Sequence, residues 1–356
     1  MTDMAQDKTT FADTLLELIH TDDPSQIETF LAELKPGEEA RAIAQLDKGQ
    51  QTRLFDLLGS QKSAELLVKI TGRGEVSVIE QMPLEQTAAI FEEMPSRQQV
   101  DILRQLKDKD AAQIIGEFAE SRAEKLRELI AYPEDTAGGL MIPEYLAFSR
   151  GMLVKDVLDD LREHGEVYSD YAVQYAYVVS EEGGLLGVLR LRDLLLAPKN
   201  KPVTDVMIKD PQNVRVDTTL RELKEFFKQY NYLGVPVVDS RNRLVGVVNA
   251  AAVRDAVNKR SNQIFLQFSG IVGGEEFRTK PLFKRSSRRL SWLSINILLN
   301  IVAASIIALY QDTLEKVIVL AVFLPIISDM SGCSGNQSVA VSIRELSLGL
   351  VRPKEL

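Results

Sequence analysis

The sequence predicts a multidomain membrane protein with an all-α superhelical N-terminal domain, a tandem pair of α/β units, and a C-terminal α-helical transmembrane segment. Three observations carry this. Apolar residues recur every twelve positions through the first third, a strand–turn–strand–helix block recurs at an offset of 59 in the middle, and 21 consecutive residues near the end carry no charge.

The 356 residues are enough for two or three domains with their own cores. With 45% hydrophobic and 26% charged residues, any membrane part is local. A net charge of -9 argues against nucleic acid as the main partner. One cysteine, Cys333, excludes an internal disulfide framework, and two histidines, His20 and His164, argue against a zinc site. Residues 1–14 are polar and do not read as a secretory signal.

The first domain is placed at 1–133. Leu34, Leu46, Leu58, Ile70, Met82, Met94, Leu106, Phe118 and Ile130 are spaced by twelve, and breakers follow many of them: "KPG" 35–37, "DKG" 47–49, "GS" 59–60, "TGRG" 71–74, Pro83 and Pro95. Between breakers the apolar spacing is helical, as at Leu84, Ala88 and Phe91. One short helix per twelve residues cannot bury its apolar face alone, but stacked copies can, which predicts a small superhelix. The alternative is an ordinary helical bundle. The acidic runs, "DKD" 108–110 among them, read first as solvated helix faces.

Residues 134–258 hold the tandem repeat, with copies at about 137–200 and 201–258. "YAYVVSEEGGLLGVLRLRDLLLA" (175–197) matches "GVPVVDSRNRLVGVVNAAAVRDAV" (234–257), so that Val178, Val179 and Gly187 align with Val237, Val238 and Gly246. Each copy reads strand, polar turn, strand, helix, preceded by a Met-Ile start and an amphipathic helix. The pattern resembles a CBS-domain pair. That resemblance implies adenosine nucleotides as common ligands, held where the second strand ends Gly-h-x-Ser/Thr-x-x-Asp. Copy one has Asp193 but Arg190 at the hydroxyl position, and copy two has Asn249 and Ala252. Neither is complete, so nucleotide binding is disfavoured, and Arg190 reads as a surface ion-pair residue.

Residues 259–283 read as a linking helix, with Ile264, Phe265 and Phe268 on one side and Gly270 closing it, and 284–356 as a partial transmembrane domain. Lys284, Arg285, Arg288 and Arg289 precede the uncharged run 290–310, which matches the roughly 20 residues that cross a bilayer; the basic cluster places that end in the cytoplasm. Trp292 and Tyr310 mark the two ends of the span, and Asn296 and Asn300 share one face, facing another helix or a pore. A second span is expected over 317–343. Its apolar start "VIVLAVFLPII" is followed by "SDMSGCSGNQSVAVSI", which reads as a break in the helix facing protein or a water-filled path. Asp329 is then a functional candidate, the alternative being a carboxylate nearer the interface. With Asn336, Gln337 and carbonyls freed at Gly332 and Gly335, it supplies the oxygen ligands that Mg²⁺ requires. An inward-negative potential of about 100 mV would favour entry of a divalent ion by ~4.6 kcal/mol, twice the single-charge value. No phosphate-binding G-x-x-x-x-G-K-[ST] loop is present to drive transport.

The order of these parts resembles the MgtE family of magnesium transporters, on the words "EDTAGGLMIPEYLAF" (134–148), "VPVVDSRNRLVGVV" (235–248) and "LPIISDMSGCSGNQSVAVSIREL" (324–346). The resemblance implies a homodimeric Mg²⁺ channel-like transporter of the bacterial inner membrane. Its cytosolic domains would bind Mg²⁺ through acidic surfaces, and its linking helix would close the pore. It also implies five spans, so the sequence is expected to be part of a longer transporter. Asp110, Asp217 and Asp255 fall where family acids occur. Asp255, however, stands among Arg254, Lys259 and Arg260 in an acid-poor linking helix, which predicts weak or differently built gating. The other reading is a membrane-anchored CBS regulatory module that conducts nothing. An enzyme is the weakest reading, because nothing assembles a nucleophile, a base and an orienting partner.

Overall fold

The computed structural model describes residues 3–35, 37–70, 75–80, 82–168, 171, 175–268 and 282–348. It falls into two compact units, Met1–Val253 and Arg254–Leu356.

Among the described residues the first unit begins with nine helices: α1 (Asp3–Thr21), α2 (Pro24–Glu33), α3 (Glu38–Gln45), α4 (Lys48–Ile70), α5 (Glu75–Ile79), α6 (Leu84–Glu92), α7 (Ser96–Leu103), α8 (Asp108–Gly116) and α9 (Glu120–Ala131). Local chemistry sets their ends. Asp23 accepts from the Ser25 and Gln26 amides ahead of Pro24, and Gly59 turns to φ 71 inside α4, at the "GS" breaker. Of the twelve-residue anchors, Leu46, Leu58, Ile70, Met82, Met94, Leu106 and Phe118 are buried, and the outermost, Leu34 and Ile130, are half-buried.

A second series runs five positions behind the anchors. The buried polar side chains among the described residues are Glu39, Gln51, Ser63, Thr87 and Gln99, all at one place in the twelve-residue repeat. Each reaches back toward the turn before its own helix. Gln51 Nε2 donates to the Ile43 and Leu46 carbonyls at 2.9 and 3.2 Å, and Gln99 Nε2 to those of Phe91 and Met94 at 2.5 and 2.7 Å. Ser63 Oγ donates to the Phe55 carbonyl, Thr87 Oγ1 to that of Pro83, and Glu39 accepts from the Gly37 amide. The last carbonyls of a helix have no partner within it, and this ladder satisfies several of them inside the stack.

After α10 (Ala137–Leu140) come β1 (Leu146–Ser149), α11 (Val154–Glu163), α12 (Gly165–Tyr168), β2 (Tyr175–Val179), β3 (Leu185–Arg190), α13 (Leu191–Leu196), β4 (Ile208–Lys209), β5 (Val214–Arg215), α14 (Leu220–Gln229), β6 (Gly234–Val238) and β7 (Leu244–Asn249). Two sheets form, ordered β1-β2-β3-β4 and β5-β6-β7, each with a parallel first pair and an antiparallel second pair. Their registers repeat at the offset of 59, with bulges at Val178/Val179 and Val237/Val238 and the pairs Val178↔Gly187 and Val237↔Gly246. The copies exchange their lead-in strands. β4, which opens copy two, pairs with β3, and Ile142, which opens copy one, bridges Val247 in β7. The two β-turns also meet, through Leu185 N to Asn242 O and Leu244 N to Gly183 O, both 3.0 Å. Between the sheets pack Tyr177, Leu185, Val188, Val238 and Leu244, and the Tyr145 hydroxyl donates to the Leu244 carbonyl at 2.9 Å.

The exchange explains the two glycines. A Cβ on Gly246 would stand 2.8 Å from Met141 Cγ and Sδ, and one on Gly187 would stand 2.8 Å from Met207 Cγ and 3.0 Å from the Ile208 carbonyl oxygen. Each glycine thus seats the methionine that opens the other copy. Gly246→Ala is expected to cost about 1–3 kcal/mol through overpacking. An unchanged midpoint in chemical unfolding would mean that Met141 gives way freely.

The linking helix α15 (Ala250–Phe268) starts at the unit boundary. The second unit continues with α16 (Leu282–Leu309), α17 (Gln311–Lys316), a 3₁₀ turn at Ile318–Val322 and α18 (Phe323–Leu348). Exposed Leu293, Ile295, Ile297, Leu298, Leu299 and Ile301 surround α16 on every side. Among the described residues no helix is long and apolar enough to cross a membrane. The side chains of Lys284, Arg285, Arg288, Arg289, Trp292, Phe265 and Phe268, Gly270 and most of the linker, and the chain end from 349 lie outside the described residues.

The expected break in the second span is displaced. α18 runs unbroken through "SDMSGCSGNQSVAVSI", and the irregular stretch is Ile318–Val322, inside the apolar start. Pro325 accounts for this. Its ring lacks an N–H and would clash with the carbonyl four residues earlier, so a regular helix can hold it only in its first turn, and α18 begins at Phe323. Farther along, Gly332 and Gly335 stay within the helix, and the Ser338 hydroxyl folds back on the Ser334 carbonyl at 3.0 Å. The carbonyls at Gly332 and Gly335 are therefore not freed by a break.

Candidate functional site

The acids suggested by the sequence stand on separate elements. Asp110 is in the first turn of α8, where a carboxylate is favoured by the unpaired amides of the helix start. Asp217 is exposed in the turn between β5 and α14. There Arg215 Nε donates to it at 3.1 Å, and this hydrogen bond holds its carboxyl below the usual range. Asp255 lies exposed on α15. Among the described residues no three His, Cys, Asp or Glu side chains gather as a metal site.

Asp329, Asn336 and Gln337 are all exposed on α18. Asp329, Gly332, Cys333 and Asn336 fall at i, i+3, i+4 and i+7 and share one stripe, with Gln337 beside it. At 1.5 Å of rise per residue, the carboxylate and the amide are stations about 10 Å apart along the axis. Gly332 leaves the stripe open between them, because a Cβ there would meet nothing.

On the α/β pair, Arg190 Nε donates to Asp193 at 2.5 Å, and Arg192 Nε stands 3.4 Å from the other oxygen of that carboxylate. This hydrogen bond from Arg190 keeps the Asp193 carboxyl below its ordinary range. Sequence reasoning passed over Ser96, Arg97, Arg104 and Glu144, which form the junction between the helical domain and the α/β pair. Their contacts run between side chains and distant backbone, and no periodicity announces them.

The MgtE intracellular N domain matches residues 34–135, and the CBS domain matches 137–200 and 203–259. The solved cytosolic domain of the Mg²⁺ channel MgtE in complex with ATP superposes with a TM-score of 0.60 at 30% identity, covering 69% of this chain and 99% of that one. The chain belongs to the MgtE family. Within that family it is 33% identical over 231 residues to the magnesium transporter MgtE of Bacillus subtilis, and 36% identical over 228 residues to that of Thermus thermophilus. These alignments take in 65% and 64% of this MgtE-family chain, and it spans about half the length of both relatives, 50% in each case. The soluble part of another magnesium transporter, at 22% identity and a TM-score of 0.61, shares the fold.

Proposed function

We propose that this MgtE-family chain is a subunit, or part of one, of a passive magnesium transporter of a bacterial inner membrane. It works as a homodimer, and its helical and CBS domains face the cytosol and sense Mg²⁺. The observation that carries this is the match of 69% of this chain to 99% of the solved cytosolic domain of a Mg²⁺ channel. The second unit supplies the membrane part. The run 290–310 has no charge, and α16 exposes apolar side chains on every side, as a helix in lipid does.

In this reading α18 forms one wall of the ion path. Mg²⁺ keeps much of its hydration shell, and the Asp329 carboxylate and the amide oxygens of Asn336 and Gln337 accept hydrogen bonds from its waters. The membrane potential drives entry. On the cytosolic side Asp110, Asp217 and Asp255 are the sensing acids. Gating is weak, because Asp217 is engaged by Arg215 and Asp255 stands among Arg254, Lys259 and Arg260. A nucleotide has no part in this reading, since the Arg190 guanidinium is engaged by Asp193.

The second reading, a membrane-anchored CBS regulatory module without transport of its own, is favoured by the unbroken course of α18 and the dispersal of the acids. The two readings separate in vesicles carrying the full chain and a Mg²⁺-sensitive dye, with an inside-negative potential imposed. Transport predicts potential-dependent Mg²⁺ influx that Asp329→Ala lowers by about tenfold or more, the effect of losing roughly 1.4 kcal/mol of stabilisation. Influx no greater than in empty vesicles would leave the regulatory module.

A further inference from the structure

α18 starts at Phe323 and reaches Ile343, the last residue before Arg344, after 21 residues, 323 to 343 inclusive. The uncharged run of α16, 290–310, follows Arg289 and has the same length. Residues 311–322 join the two, a connection short enough to make the helices antiparallel neighbours. Two equal spans in one bilayer start and end on the same planes, so their residues fall level in pairs. Leu290 is level with Ile343 at the basic end, and Tyr310 with Phe323 at the other. Counting from the basic end at 1.5 Å per residue, Asn296 and Gln337 lie about 9 Å deep, Asn300 and Cys333 about 15 Å, and Ala304 and Asp329 about 21 Å.

These three levels also share a face on each helix. Asn296, Asn300 and Ala304 fall at i, i+4 and i+8 on α16, and Asp329, Cys333 and Gln337 do the same on α18. All six side chains are exposed. The chemistry matches level by level. Asn296 and Gln337 are both primary amides, each with donors and an acceptor, so they satisfy one another at a depth where an unpaired amide is costly. Asn300 faces the small Cys333 beside Gly332, where the backbones can approach closely. Ala304 offers Asp329 neither a donor nor a charge, which leaves the carboxylate free for an ion.

We propose that α16 docks on α18 of the same chain through this face, with Asn296 and Gln337 as a hydrogen-bonded pair that positions the Asp329 stripe. Gln337 then serves the helix pair, and Asp329 and Asn336 serve the ion. The inference rests on the reading of α16 and α18 as membrane helices.

Vesicles carrying the full chain are washed at alkaline pH, and the retained chain is oxidised with copper-phenanthroline in air. Asn300→Cys is expected to close an intramolecular disulfide with the native Cys333, seen as a faster-migrating monomer that reduction abolishes. It should form about tenfold faster, or more, than with Leu298→Cys or Val302→Cys, which lie at nearly the same depth on the opposite face. Asn296→Cys with Gln337→Cys, in a Cys333→Ser background, should close the second rung. Asn296→Leu should lower potential-driven Mg²⁺ influx by about tenfold, and Asn296→Gln, which keeps the amide, should retain it. Retained chain that lacks either rung, or that cross-links as readily from 298 or 302, overturns the inference. A disulfide-linked dimer as the main product also overturns it and gives the face to a second copy. Equal influx in the leucine and glutamine variants overturns the positioning role of Asn296. Chain released by the alkaline wash overturns the membrane reading, and the inference falls with it.

Discussion

Gln99→Leu is expected to destabilise the helical domain by about 2 kcal/mol, within the range for a single buried polar loss. Gln99 is fully buried, and its amide is the donor for two carbonyls, those of Phe91 and Met94, at the end of α6 and in the turn after it. Leucine fills a similar volume and donates nothing, so the Met94 carbonyl loses its partner at about 1–3 kcal/mol, while the Phe91 carbonyl keeps the Met94 N–H at 3.1 Å. The Gln99 Oε1 oxygen is itself buried without a partner, so its removal returns part of that cost. Gln51→Leu repeats the experiment four repeats earlier with longer bonds, 2.9 and 3.2 Å, and a smaller loss is expected. Sites so far apart in the stack should add. Chemical unfolding followed by helical circular dichroism reads both. A leucine variant as stable as the parent would show that the ladder is incidental to stability.

That ladder shows how far the sequence could be read. The apolar anchors announce the stack because seven of the nine are buried, and hydrophobic periodicity is a strong local signal. Glu39, Gln51, Ser63, Thr87 and Gln99 keep the same metre, but they differ in charge and size, and Glu39 accepts a hydrogen bond where the other four donate. In the CBS pair the offset of 59 carried even the bulges. The exchange of lead-in strands was not readable, since pairing Ile142 with Val247 depends on a contact between copies. In the second unit the polar residues drew attention to the wrong place. Glycine, serine and asparagine weaken a helix without ending it, whereas Pro325 removes a donor and adds a clash. The candidate acids were legible as residues, yet no sequence pattern shows that Asp217 is paired with Arg215 or that the three acids stand apart.

If the proposed transporter reading holds, Ile301→Asp is expected to move α16 out of the membrane. Ile301 lies near the centre of the uncharged run 290–310 and is exposed in this chain. In the bilayer core an isoleucine favours insertion by about 0.3–0.6 kcal/mol, and an aspartate opposes it by about 2.5–3.5. The exchange therefore shifts the balance by roughly 3–4 kcal/mol, several-hundred-fold in the insertion equilibrium. The readout is the fraction of α16 protected from a membrane-impermeant label, or the fraction of chain that resists alkaline extraction from vesicles. An aspartate at 301 that leaves both unchanged would show that the helix does not sit in lipid. Asp329 is the natural contrast, because α18 already carries a carboxylate in a comparably apolar sequence. Asp329→Leu should make α18 insert more readily while removing the charge that a cation path requires. An anchor would gain from that exchange and a transporter would lose, so insertion and Mg²⁺ influx should change in opposite directions only if α18 lines the path.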